Sequence, residues 1–311
     1  MARRKTKKIL SLLLGLVILA VAAWHYLGDR LPIGGASETP AAGEGVLTAY
    51  FLDVDQGDCS LFVLPDGKTL LVDAGNRGDG EEIADYLSKL DITRLDYIIA
   101  THPHADHIGG MSDIIDRLEV GKVFAPRIAA DDIPTTKSYE DFLRSVQSKG
   151  LRLTAAKAGE QLFAGKDYRA DCLAPTDEDY DNLNNYSVCL KLTYGLHSFV
   201  LTGDAERDVE ATMLDKNKTL ACDVFKVAHH GSSDSNSAAF LKALAPKYAV
   251  ISCGADNSYG HPHRETLAAL EGLVTQPNIL RTDKEQTICI TADGKTADGL
   301  TVTTGLDSVI E

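Results

Sequence analysis

Four times along this chain an apolar, strand-like run ends in a short polar loop bearing His or Asp, and a helix-like run follows, at 96–119, 197–214, 223–245 and 248–273. That recurrence leaves few folds open. Strands alternating with helices build a layered α/β arrangement, and the loops leaving strand C-termini then gather functional side chains. Seven of the nine histidines fall in three of these loops, HPHADH, AHHGSS and GHPH, and Asp204 sits in the fourth, TGDA. The chain is expected to bring imidazoles and carboxylates together at one place.

The first 45 residues follow another logic. MARRKTKK carries five positive charges, and Ile9 to Trp24 has none. Sixteen uncharged residues are short for a membrane-spanning helix and long for the apolar region of a signal peptide, so both readings stand for residues 1–27. Either one predicts export, to the extracellular face of the cell membrane or beyond it. Residues 28–45, GDRLPIGGASETPAAGEG, are rich in Gly, Pro and Ala without periodicity and read as a linker. The folded part is expected over 46–311. It opens with three strand-like runs, VLTAYFLDV, CSLFVL and TLLVDA, split by DQGD and PDGK, which predicts a meander. The formal net charge of −14 argues against a broad basic face for gripping nucleic acid. The six cysteines make no CxxC and lie mostly in apolar runs, so they are expected to be free and buried.

HPHADH carries the most chemistry. Residues two apart share a face in extended chain, so His102 and His104 can point together as the chain leaves its strand. Pro103 delays helix formation. Asp106 and His107 then open the next helix and point elsewhere, so one pair can serve one metal and the second pair another. Nitrogen and oxygen donors suit zinc, manganese or iron. Asp204 has a blander reading as a helix N-cap, but beside such a motif it is expected to be a ligand. His229 and His230 are candidates in AHHGSS, with Ser232 and Ser233 beside them to hold an anion. Asp73 ends a strand in LLVDAG, and His261 precedes a helix in YGHPH, placed to contact substrate or protonate a leaving group.

HxHxDH followed by Ile-Gly-Gly resembles the signature of the metallo-β-lactamase superfamily of metal hydrolases, and the resemblance extends over nearly all of 46–292. YFLDVDQGDCS, NNYSVCLKL, FVLTGDAE and VFKVAHHGSSDSNS look like the C-terminal hydrolase domain of ComEC-type competence proteins, which degrade one DNA strand during uptake. Phosphorylcholine esterases of the superfamily are also similar. The resemblance implies a four-layer αββα sandwich and two divalent ions that activate a hydroxide. It implies His102 and His104 on one ion, Asp106 and His107 on the other, and Asp204 between them. It favours His229 as a further ligand of the Asp106/His107 ion, with His230 the alternative, and gives Asp73 a supporting hydrogen bond. Two departures stand out. Asn184 and Asn185 occupy the stretch where the superfamily usually has another His, which weakens the His102/His104 site for Zn²⁺ and favours Mn²⁺. Asn185 would then orient a bound water. Asp55 stands where the branch usually shows Gly, a turn position that Asp tolerates better than most residues.

Together these readings predict an exported metallohydrolase, a phosphodiesterase or nuclease acting on DNA with Asp106 and His261 at the reacting centre. Membrane contact would run through the N-terminal helix, and the resemblance implies partnership with a DNA-uptake channel. The rival readings are an esterase for a phosphorylcholine ester, lactone or β-lactam, and a non-catalytic surface binding module. Structural zinc sites are usually closed and Cys-rich, which speaks against the last.

Overall fold

A computed structural model describes residues 45–177, 179–217, 219–307 and 309. The predicted leader over 1–27, and the linker over 28–45 apart from Gly45, lie outside the described residues. Among the described residues no helix is long and apolar enough to cross a membrane.

The first sheet begins with β1 (Leu47–Phe51), β2 (Ser60–Val63) and β3 (Thr69–Val72), the expected meander. The parallel strands β4 (Arg94–Ile99), β5 (Glu119–Ala125) and β6 (Leu153–Ala155) follow. The second sheet holds β7 (Gln161–Gly165), β8 (Tyr168–Ala174), β9 (Cys189–Tyr194), β10 (His197–Leu201), β11 (Val224–Lys226), β12 (Tyr248–Ile251) and β13 (Ile279–Arg281). The chain then returns to the first sheet. There β14 (Thr287–Ala292) pairs antiparallel with β1, Phe51 opposite Ile288, and β15 (Leu300–Leu306) forms the edge.

Side-chain alternation explains the layering. In β2 and β4, Leu61 and Ile98 face outward onto the helices, while Phe62 and Ile99 face the other sheet. In β11 and β12, Val224 and Val250 point between the sheets, and Phe225, Ala249 and Ile251 point to the opposite helices. The parallel strands are buried on both faces, so they read as unbroken apolar runs. Phe62 and Phe199 meet edge-on between the sheets at 5.8 Å, each fully buried and contributing about 1.5–3 kcal/mol of transfer free energy. Helices α1 (Gly80–Lys89), α2 (Ala105–Ile108), α3 (Met111–Arg117) and α4 (Lys137–Ser148) belong to the first half of the chain. Helices α5 (Arg207–Lys216), α6 (Ala238–Leu244), α7 (Arg264–Glu271) and the short α8 (Thr282–Glu285) belong to the second. Ile83, Ile114 and Phe142 pack on the first sheet, and Met213, Phe240 and Leu270 on the second. This is the expected αββα sandwich. All six cysteines are free and buried.

Candidate metal centre

The loops after β1, β4, β8, β10, β11 and β12 meet around one cavity of about 310 Å³, lined among others by His104, Asp106, Asn184, Asp204, His230 and His261. Larger hollows of about 700 and 560 Å³ lie along β7–β9. No group of prospective metal ligands gathers at either one among the described residues.

Asp73 sets the geometry on the first-sheet side. It sits just past β3 at φ 60°, and its carboxylate accepts the Thr101 backbone N–H at 2.8 Å, the Thr101 hydroxyl at 2.7 Å and His107 Nδ1 at 2.8 Å. With Nδ1 donating there, His107 Nε2 is the free nitrogen, and it lies 3.1 Å from Asp204 Oδ1. The Thr101 hydroxyl proton goes to Asp73, so its oxygen accepts from His102 Nδ1 at 3.1 Å. That leaves the lone pair of His102 Nε2 facing His104 Nδ1 at 3.0 Å. These are the outer partners that metal-binding imidazoles need in order to fix tautomer and direction.

Two groups of ligand atoms result. His102, His104 and Asp204 form one, and Asp106, His107, Asp204 and His230 form the other, with Asp204 common to both. His107 Nε2, His230 Nε2 and Asp204 Oδ1 are buried and make no hydrogen bond. Buried polar atoms are rarely left so, and a divalent cation bound by nitrogen and oxygen donors would satisfy them together. The residues present therefore fit the metal pair. Asp58, Asp73 and His107 also lie close together. There Asp73 is occupied by Thr101 and His107, and Asp58 by Lys226, so that group supports the site from below.

Electrostatics point the same way. Burial alone raises the Asp204 carboxyl, but the facing His107, His230 and His102 outweigh it and hold it well below the usual carboxylate range. Asp106 is also pushed up by burial and drawn well down by His107 and His230. Burial opposes a proton on His107 and His230, yet Asp204 and Asp73 draw His107 far up, and Asp204 and Asp58 lift His230 to about 10. Without metal, two imidazolium protons balance two carboxylates; a cation seated among the same atoms displaces them. Burial lowers His102 and His104, leaving them neutral ligands.

Several candidates land differently from the expectation. The structure groups His230, and not His229, with Asp106 and His107. Both histidines adopt the left-handed region, φ 50° and 51°, at about 1–3 kcal/mol of strain each. That double turn sets His230 Nε2 3.3 Å from Asp106 Oδ2 and 3.8 Å from Asp204 Oδ2, while His229 lines the same cavity with its Nε2 3.6 Å from Asp204 Oδ2. Asn184 lines the cavity in place of Asn185. In the tight turn Leu183–Tyr186 successive side chains diverge, and Asn185 Oδ1 instead accepts the Glu206 N–H at 3.0 Å. Ser232 does not reach the cavity. It is buried, and its hydroxyl accepts the Asp234 N–H at 3.2 Å, a local turn contact. His261 does line the cavity, and burial together with His230 and His229 lowers it to about 4, so its ring is neutral near pH 7. Asp55 takes φ 54°, in line with a position suited to Gly.

One participant went unread in the sequence. Lys226 ends β11 on the face that Val224 turns between the sheets, yet it is only 2% exposed. Its ammonium reaches Asp58 Oδ1 at 2.9 Å, and Asp58 lies 3.4 Å from His230 Nδ1. A lysine inside the apolar run VFKVA is the available signal, since lysine is almost never buried unpaired.

Residues 52–255 match the family described as Metallo-beta-lactamase superfamily. The chain belongs to that superfamily. The match includes every residue of both ligand groups, and the chain is a metal-dependent hydrolase of this superfamily. Two competence proteins are among its relatives. It is 32% identical over 203 residues to ComE operon protein 3 of Bacillus subtilis (strain 168), covering 65% of this chain and 25% of that protein. It is 28% identical over 249 residues to competence protein ComA of Neisseria gonorrhoeae, covering 78% of this chain and 32% of that protein. The chain thus spans about a quarter to a third of the length of these relatives. The superfamily fold recurs in YhfI from Bacillus subtilis, TM-score 0.52 at 14% identity, over 83% of this chain and 100% of that one. It also recurs in the diiron β-hydroxylase CmlA from Streptomyces venezuelae, TM-score 0.52 at 15% identity, over 84% and 54%.

Proposed function

We propose that this chain is an exported phosphodiesterase that cleaves DNA with two divalent ions, Mn²⁺ or Zn²⁺. The observation that carries the reading is Asp204, a buried carboxylate common to two ligand groups beside an accessible cavity. When bound, such a pair of ions activates water and neutralises charge on the phosphate oxygens. The rest falls to the protein. Asp73 and Thr101 orient His107 and His102, while Asp58 stands behind His230. Neutral His261 can donate one ring N–H to a phosphate oxygen or to the leaving oxygen. Asn184 in place of a third imidazole favours Mn²⁺ at the His102/His104 side. The competence proteins among its relatives favour a DNA substrate for this chain and a place for it beside a DNA-uptake channel. The basic, then apolar N-terminus supports export with a membrane anchor or a cleaved signal.

The acidic balance of the chain keeps a small phosphoester, such as a phosphorylcholine ester, as the second reading. The test supplies metal-stripped protein with Zn²⁺ or Mn²⁺ and offers bis(p-nitrophenyl) phosphate and single-stranded DNA, with Asp106→Ala as control. Metal-dependent cleavage of both, lost in the variant, supports the proposal. Turnover of phosphorylcholine esters with DNA left intact moves the assignment to the second reading.

A further inference from the structure

From the metal ligands to the solvent, three rings lie nearly parallel. His230 stacks on His261 at 6.1 Å and 23°, and His261 on Tyr259 at 5.6 Å and 19°. Both are offset-stacked arrangements within the range aromatic pairs favour. Tyr259 lines the same cavity, yet it is 66% exposed, the most exposed large apolar side chain among the described residues. An aromatic ring left this open at a cavity rim calls for a reason.

The loop that carries Tyr259 is pinned. Asn257 Nδ2 donates to the carbonyls of Gly254 and His261, and its Oδ1 accepts the His261 N–H at 2.9 Å. His263 Nδ1 accepts the Ser233 N–H at 3.0 Å, so its Nε2 carries the proton and donates to the Tyr259 carbonyl at 3.2 Å. The backbone beneath the ring is thus fixed while one ring face stays free.

We infer that Tyr259 is a specificity-determining residue, a stacking platform for a nucleobase next to the phosphodiester being cleaved. The inference rests on the phosphodiesterase reading and sharpens it toward nucleic acid. A flat, open face matches a planar base. A trimethylammonium group is better held when several rings box it in, and here the neighbours of Tyr259 continue the stack instead of enclosing it. Stacking also fits the charge of the chain. A formal net charge of −14 argues against a broad basic face for the backbone, so grip on a strand rests chiefly on the ions and on ring contacts.

The test compares kcat/KM of the metal-loaded full chain on an oligothymidylate and on an abasic tetrahydrofuran strand of equal length. Base stacking on one ring should favour the base-bearing strand by about tenfold or more. Tyr259→Ala should collapse that ratio toward one, mainly through KM, while Tyr259→Phe and Tyr259→Trp keep it. A ratio unchanged in Tyr259→Ala, with both strands slowed equally, would make the ring a loop support and overturn the inference while leaving the phosphodiesterase reading intact. Loss confined to glycerophosphocholine turnover would overturn it in favour of choline binding. A wild-type chain that cleaves neither strand removes the parent reading and the platform with it.

Discussion

Replacing Lys226 by methionine removes the nearer of the two cationic groups that face Asp58, Lys226 at 2.9 Å and His230 at 3.4 Å. Lys226 and Asp58 are 2% and 4% exposed and meet at 2.9 Å, a separation worth about 6 kcal/mol of attraction at an effective dielectric of about 20. Burial alone would push the Asp58 carboxyl up, and Lys226 followed by His230 holds it well below its ordinary range. Methionine fills the space but strands that carboxylate. Breaking a buried pair from one side costs about 3–5 kcal/mol, and His230 at 3.4 Å keeps the loss near the lower figure. For a domain of this size, about 3 kcal/mol lowers Tm by about 6–12 °C. Differential scanning fluorimetry on metal-free protein reads this directly. Adding Asp58→Asn removes the stranded charge, so the double variant should regain at least half of the loss. A drop under about 2 °C, or a double variant as unstable as the sum of its singles, would refute the view of Lys226 as the partner that keeps Asp58 ionised.

Three further outcomes follow from the site. Asp73→Ala frees His107 Nδ1 and the Thr101 hydroxyl, so metal affinity by competition with a chromophoric chelator should fall about 10–100-fold with the fold retained by circular dichroism. His230 is raised to about 10 in the metal-free protein, so its contribution to stability is fully present below the unfolded value of about 6.5 and lost as pH rises through 10. The Tm of metal-free protein should therefore decline between pH 7 and 10, and bound metal, which holds His230 neutral, should abolish that decline. Asn184→His adds a third imidazole beside the His102/His104 group, and the Zn²⁺:Mn²⁺ affinity ratio should rise at least about tenfold in competition titrations.

Interior strands were legible and edge strands were not. Each run buried on both faces, such as YIIA before HPHADH or YAVIS before the GHPH loop, appears in the sequence as unbroken apolar residues. By contrast β6, β7, β13 and β15 are the four sheet edges, and they went unread. An edge strand buries less and tolerates polar residues: Leu153–Ala155 is exposed throughout, and Leu300–Leu306 buries only Leu306. Beside β7, Tyr168–Ala174 was hidden by Arg169 and Asp171 on its outer face. At the site, HPHADH and Asp204 could be read because spacing and strand ends dictate their direction. The choice of His230 over His229, and of Asn184 over Asn185, turns on backbone dihedrals within two-residue windows, where neighbours differ in nothing that composition records.

The return of β14 to the first sheet also orders events in time. Its partner β1 is made about 240 residues earlier. At about 5–20 residues per second of synthesis, β1 waits roughly 10–50 s with one edge unpaired. Throughout that interval the apolar face that Leu47, Ala49 and Phe51 turn toward the core flanks an open row of backbone donors and acceptors. The first sheet is therefore completed late, only once Thr287–Ala292 and Leu300–Leu306 have been made, long after the strands they close against.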